Sequence, residues 1–311
     1  MFSTLLIVLP IFALIFAGWL ARRIGVLGPV ATTELNRFVV FLALPALLFD
    51  IVAHARWADL WQPGFVAAFG LSALLVFGGT VAVRLRRPRH LADAAIDGLN
   101  AGYANTGFVG FPLALVALGR DAMAPTLIAT IITVCVLFGA AIVLIEVGLQ
   151  AETRRTRLAM KVGRSLLRNP LLLAPALGAL VPLAGWGIPV PVESFLKLLG
   201  GAASPCALVA LGLFLAEQRT GAGRTAGSAA LLVGLKLVVQ PVVAWVLASA
   251  VFGLTPLLTH AAVLLAALPT GTGPFMLAEL YRREAEVTSR VVLASTIASV
   301  LTVSGYLAVA G

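Results

Sequence analysis

Apolar residues run almost unbroken along this chain in stretches separated by short polar connections, at positions 3–20, 35–53, 63–83, 95–118, 123–148, 168–184, 192–216, 227–252, 258–280 and 288–309. A helix on the surface of a soluble domain would show polar positions on one face at helical spacing, and a barrel strand would alternate over about ten residues. Neither pattern is present. Each run is long enough to cross a hydrocarbon layer of about 30 Å as an α-helix rising about 1.5 Å per residue. In lipid a helix satisfies its own backbone hydrogen bonds. The pattern therefore predicts an all-α polytopic membrane protein with ten transmembrane helices.

Composition agrees. Of 311 residues, 60% are hydrophobic and 11% charged, against about 45–50% and 25% in soluble domains. Mean hydropathy is +1.04. The spans leave no room for a separate soluble domain. Cys135 and Cys206 lie in apolar runs and offer no disulfide or zinc framework. Met1 to Leu9 lack a basic stretch and a cleavage site, so a retained first helix is expected rather than a removed signal.

The net charge of +9 would ordinarily raise nucleic-acid binding. Its placement says otherwise. Arg22, Arg23 and Arg37 flank the first connection, and Arg84, Arg86, Arg87 and Arg89 fill the third. Arg154, Arg155, Arg157, Lys161, Arg164 and Arg168 fill the fifth, Arg219 and Arg224 the seventh, and Arg282, Arg283 and Arg290 the ninth. Eighteen of 22 basic residues thus fall on one side, against Arg56 and Arg120 on the other, with Lys197 and Lys236 inside predicted helices. The positive-inside rule then sets both termini on the non-cytoplasmic side. The fifth connection has no aromatic residue with which to stack bases, so no nucleic-acid partner is expected, and anionic lipid is the expected partner of the basic loops. Nineteen Arg against three Lys in an Ala/Leu/Gly-rich background point to a GC-rich bacterial genome, hence to a bacterial inner membrane.

The connection at 149–167 divides the chain into five runs at 1–148 and five at 168–311. Ala43-Leu44-Pro45-Ala46-Leu47-Leu48-Phe49 in the second run is similar to Ala203-Ser204-Pro205-Cys206-Ala207-Leu208-Val209 in the seventh. The fourth run is interrupted by Asn105-Thr106-Gly107-Phe108-Val109-Gly110-Phe111-Pro112, and the ninth by Leu268-Pro269-Thr270-Gly271-Thr272-Gly273-Pro274-Phe275. An odd number of helices per repeat makes the two repeats inverted, and paired broken helices in inverted repeats mark secondary transporters. A proline inside a helix costs about 3 kcal/mol or more, and broken backbone at membrane depth needs protein or a water-filled cavity around it. A half-helix N-terminus there presents free amide donors and a positive dipole end to an anion. The candidate substrate residues are Asn105, Thr106, Gly107, Gly110, Pro112, Pro269, Thr270, Gly271, Thr272 and Gly273. Gly98 and Gly102, at GxxxG spacing, are expected only to let helices pack closely.

Among ionisable residues, Lys236 sits within the eighth run and should face the bundle interior, with Gln240 one turn on, as a counter-charge for an anionic substrate or a carboxylate. Asp50, after Pro45, is the candidate ion-coupling carboxylate. Asp97 reads as an acid in the first turn of its helix. Glu146, Glu217 and Glu279 read as surface partners of arginines, and Glu193 and Lys197 as a solvated i,i+4 pair. An enzyme is not expected, because HExxH, a Cys/His cluster and GxSxG are all missing. Gly221-Ala-Gly223 lies between two membrane helices with no strand before it, so it reads as a loop. No metal site and no cofactor are expected.

The stretch Gly98-Leu-Asn-Ala-Gly-Tyr-Ala-Asn105-Thr-Gly-Phe-Val-Gly110-Phe-Pro112-Leu, with Leu268-Pro269-Thr270, Ala278-Glu279-Leu280-Tyr281 and the Pro45 and Pro205 patterns, resembles the auxin efflux carrier family. The resemblance covers the whole chain. It implies two inverted five-helix repeats with broken helices 4 and 9 crossing at their prolines, and a scaffold of helices 1, 2, 6 and 7 beside a moving group of the others. It also implies transport of a carboxylate, malonate or malate in bacterial members and auxin in plant members. A homodimer is a further implication. The long hydrophilic central loop of plant carriers is replaced here by a short basic connection, so auxin specificity does not carry over. Leu268 stands where the fourth run has Asn105, which makes the two breaks chemically unequal. The expected function is a secondary carrier of a small organic anion, with energisation by a proton, by a sodium ion or by the membrane potential alone left open, and with an anion channel or a substrate-sensing protein on the same fold as the alternative.

Overall fold

The computed structural model describes residues 2–55, 60–86, 88–150, 155–217 and 222–310. Arg56, Arg87, Arg154 and Arg219 lie outside the described residues, as do the side chains of Arg155, Arg157 and Arg224. The described chain is helical throughout, with one isolated antiparallel bridge. Its helices are α1 (Phe2–Arg23), α2 (Ala31–Ala53), α3 (Pro63–Leu85), α4 (Leu91–Gly102), α5 (Thr106–Leu118), α6 (Arg120–Leu149) and α7 (Arg155–Leu166). They continue with α8 (Pro170–Leu183), α9 (Val190–Glu217), α10 (Ala226–Val251), α11 (Pro256–Ala266), α12 (Gly273–Leu280) and α13 (Ala285–Ala310).

Six of these, α2, α3, α6, α9, α10 and α13, are long and apolar enough to cross a membrane unaided, and α7 meets α8 at a bend of 68°. The fourth and ninth apolar runs are each two shorter helices, α4 with α5 and α11 with α12. This is a multi-pass membrane protein.

Proline placement explains much of the local geometry. Three π-helical turns, Val39–Ala43, Thr106–Gly110 and Leu235–Val239, each end two residues before a proline, Pro45, Pro112 and Pro241. Proline has no N–H for the carbonyl four residues back and its ring crowds that carbonyl, so a locally widened turn relieves both problems.

The helices pack in two groups. In one, α1 runs along the second half of α9, and α2 lies against α8 and the first half of α9. Glycines let these backbones touch: a Cβ on Gly212 would fall 1.9 Å from Ile15 O, and one on Gly18 would fall 2.1 Å from Val209 O. The other group holds α3, α4, α5, α6, α10, α11, α12 and α13. Gly98 and Gly102 face Phe77, Val81 and the Ala73 carbonyl of α3, the close packing their spacing predicts.

Ion pairs gather where α1, α3 and α9 end and α4 and α13 begin. Arg22 meets Glu217 at 3.2 Å, Arg283 meets Asp93 at 2.6 Å, and Arg89 meets Glu284 at 2.9 Å. The Asp93 carboxylate, which accepts the hydrogen bond, raises the affinity of the Arg283 guanidinium for its proton. Asp97 corrects the sequence reading. The first-turn acid of α4 is Asp93, whereas Asp97 is fully buried and held by Arg84 at 2.9 Å and Arg89 at 2.8 Å. Several arginines that read only as markers of sidedness therefore tie α3, α4 and the start of α13 together. Among the described residues Glu146 bonds hydroxyls: it accepts from Tyr281 Oη at 2.8 Å and Ser165 Oγ at 2.7 Å. At the opposite end, Glu193 pairs with Lys197 as expected, with His54 near Asp50 at 3.1 Å and Glu193 at 3.7 Å.

Candidate functional site

The breaks of the fourth and ninth runs meet. After α4 ends at Gly102, Tyr103 is extended, and Ala104 forms an antiparallel bridge with Thr270. Asn105 N–H donates to Pro269 O at 2.9 Å and Gly271 N–H donates to Tyr103 O at 3.1 Å. Two short extended segments thus pair where an unbroken helix would have bonded to itself, which answers the backbone demand that lipid imposes. The register also corrects an equivalence. The counterpart of Asn105 across the Ala104–Thr270 centre is Gly271, while Leu268 lies in the core outside the pair.

Side chains bond four more backbone groups at the breaks. Thr270 N–H donates to Ser295 Oγ at 3.1 Å, and Thr270 Oγ1 donates to Asn100 O at 2.8 Å. Two residues of α10 serve the helix C-termini. Gln240 Nε2 donates to Gly102 O at 3.1 Å, and Lys236 Nζ donates to Ala266 O at 2.6 Å. Both side chains are fully buried. The negative ends of the α4 and α11 dipoles are therefore occupied from within the protein.

The positive ends are not. The first residues of α5 and α12 border a cavity of about 310 Å³ between the two packing groups. Asn105, Thr106, Gly107 and Phe108 form one side of it, and Gly271, Thr272, Gly273 and Met276 another. The opposite wall comes from Leu44, Leu47 and Ile51 of α2 and from Gly200, Gly201, Ala203 and Ser204 where the two halves of α9 join. Thr106 Oγ1 is buried with no hydrogen-bond partner. The volume lies at the lower end of the range of about 300–1,000 Å³ usual for small-molecule pockets.

Six of the residues singled out in the sequence border this cavity: Asn105, Thr106, Gly107, Gly271, Thr272 and Gly273. Pro269 and Thr270 belong to the crossing but not to the wall. A Cβ on Gly110 would meet Leu265 of α11 at 3.3 Å and Leu268 at 3.4 Å, so that residue serves packing. Pro112 is exposed and follows the widened turn of the break, outside the cavity wall. Lys236 and Gln240 stand behind the crossing, and Asp50 lies beside His54 outside the wall.

Sequence reasoning missed Tyr103 and Ser204. Tyr103 lines the cavity, packs on Phe138 with ring centroids 5.6 Å apart, and covers both glycines of the ninth run. A Cβ on Gly271 would come within 2.9 Å of its ring and one on Gly273 within 2.7 Å. Ser204 lay in the matched Pro45/Pro205 patterns, whose agreement was a signal of a shared wall as well as of a repeat.

The chain matches the membrane transport protein family over residues 4–307. It is 32% identical over 302 residues to a Rhizobium meliloti protein named "Putative malonate transporter", covering 97% of this chain and 94% of that one. An uncharacterized transporter of Methanothermobacter thermautotrophicus is 26% identical, with 94% of each chain covered. Auxin efflux carrier component 6 of Arabidopsis thaliana is 33% identical over 142 residues, 44% of this chain and 25% of the plant protein. Helices, paired breaks and sequence relatives agree that the chain belongs to the membrane transport protein family, the family of the auxin efflux carriers.

Proposed function

We propose that this transporter is a secondary carrier of a small organic anion, a mono- or dicarboxylate of malonate or malate size, bound at the paired breaks and moved by alternating access. In this reading the chain crosses the bacterial inner membrane ten times, as two inverted five-helix repeats over 1–148 and 168–311, with both termini outside. The crossing group moves against α1, α2, α8 and α9. Asp50 is the candidate coupling carboxylate.

One observation carries the reading. At the crossing, side chains cap both half-helix C-termini, while both half-helix N-termini border the cavity. The local field left over is positive, and a carboxylate there would accept from the first-turn amides of α5 and α12 and from Thr106 Oγ1. The name of the Rhizobium relative supports malonate as the first substrate to test.

The experiment is uptake of labelled malonate and other small carboxylates into proteoliposomes. Saturable counterflow with accumulation is expected for the native protein, and a pore without accumulation would overturn the carrier reading. Asn105→Ala is expected to abolish flux while the protein still inserts and folds; undiminished flux would remove the crossing as the site.

A further inference from the structure

We propose that Lys236 is a positioning residue that supplies the anion site with a fixed positive charge from behind the crossing, so that the substrate itself serves as its counter-ion. This rests on the reading of the cavity as an anion site.

Lys236 lies in the π-helical turn Leu235–Val239, is fully buried, and donates to Ala266 O at 2.6 Å. That carbonyl belongs to the last residue of α11, immediately before the segment that pairs with the break of the fourth run. A neutral donor is enough for such a cap, as Gln240 demonstrates on Gly102 of α4. At α11 the cap is instead a cation. Buried cations are ordinarily matched by acids. The acids on the helices packed against α10 are Asp93 and Asp97 of α4 and Glu286 of α13, and each is taken: Asp93 by Arg283, Asp97 by Arg84 and Arg89, and Glu286 by Arg290. The helices α3 and α11, which also touch α10, carry no acid.

Lys236 therefore bonds a carbonyl, with no carboxylate in ion-pair range among the described residues. In a low-dielectric interior its field is weakly screened and reaches across the crossing. A bound anion completes the balance. The charge at the break of α11 then does from within the protein what a co-bound cation would otherwise have to do.

The test is calorimetric titration of malonate into the purified full chain in nanodiscs, with thermal unfolding to verify that each variant is folded. Lys236→Gln keeps a donor and drops the charge; it should bind malonate roughly ten- to thirtyfold more weakly, while Lys236→Arg stays near the native value. Lys236→Ala should bind weakly and recover with added propylammonium, which replaces the deleted Cγ-to-Nζ segment, but not with 1-propanol. A purely structural cap would be restored by either. Native affinity in a folded Lys236→Gln, or equal rescue by propanol, would overturn the role of Lys236 with the anion site intact. If Lys236→Gln does not fold, the rescue comparison on Lys236→Ala decides. A native protein that binds neither malonate nor any other small carboxylate would overturn the anion site itself.

Discussion

Thr106 carries an unpaired buried hydroxyl against the cavity, and an unmade hydrogen bond of this kind costs about 1–3 kcal/mol. Replacing it with the near-isosteric valine removes that cost. Thr106→Val should therefore melt no lower than the native protein, while malonate binding weakens by about three- to tenfold for one lost hydrogen bond to a charged partner. Calorimetry beside a melting curve separates the two effects, and unchanged affinity would take the hydroxyl out of the site. Asn105, Thr106 and Gly107 were legible in the sequence because polar residues and glycine interrupt an otherwise apolar run. Tyr103 was not, since one tyrosine in a membrane helix looks like ordinary packing. Its role depends on Gly271 and Gly273, which only folding brings beneath its ring. For Lys236 the apolar neighbours in sequence disclosed burial but not direction, and the side chain turns toward a helix end rather than the cavity.

At the level of helices, hydropathy located nearly every element, because ends fall where charge and proline fall. The second run, read as 35–53, is the helix Ala31–Ala53, and the eighth, read as 227–252, is Ala226–Val251. The breaks were visible as Gly/Pro/Thr clusters, but their pairing register was not, since it is set by contacts between residues more than 160 positions apart. The family resemblance implied that α1 and α9 belong together, but the glycines that join them were hidden: nothing local distinguishes Gly18 or Gly212 from the other glycines. Gly212→Ala places a Cβ 1.9 Å from Ile15 O, a backbone atom that can move only with its helix. That substitution should cost about 3 kcal/mol or more, at or above the upper end of the usual overpacking range. Gly78→Ala in α3, where a Cβ meets nothing within 4 Å, should gain up to about 1 kcal/mol from helix propensity. Thermal unfolding in detergent checks both, and equal melting temperatures would show that the two glycines are equivalent.

For the whole molecule, the division into two packing groups with the cavity between them decides what travels if the carrier works by relative motion. Lys236 packs with the crossing group, and its charge at the crossing has no acidic partner among the described residues. That buried charge, unlike that of Asp97, is unmatched by an opposite one and would give the cycle an electrical signature. In the proposed reading the crossing holds one positive charge when empty, is neutral with a monocarboxylate bound, and carries one negative charge with a dicarboxylate bound. Each charge crossing the bilayer couples to voltage by about 2.3 kcal/mol per 100 mV. One-for-one exchange of a monocarboxylate in proteoliposomes should thus ignore an imposed potential, whereas dicarboxylate exchange and the return of the empty carrier should respond to it. Voltage-dependent monocarboxylate exchange would contradict this assignment. A lysine sealed behind two broken helices would make this protein sense not only what it binds but the voltage across the membrane in which it sits.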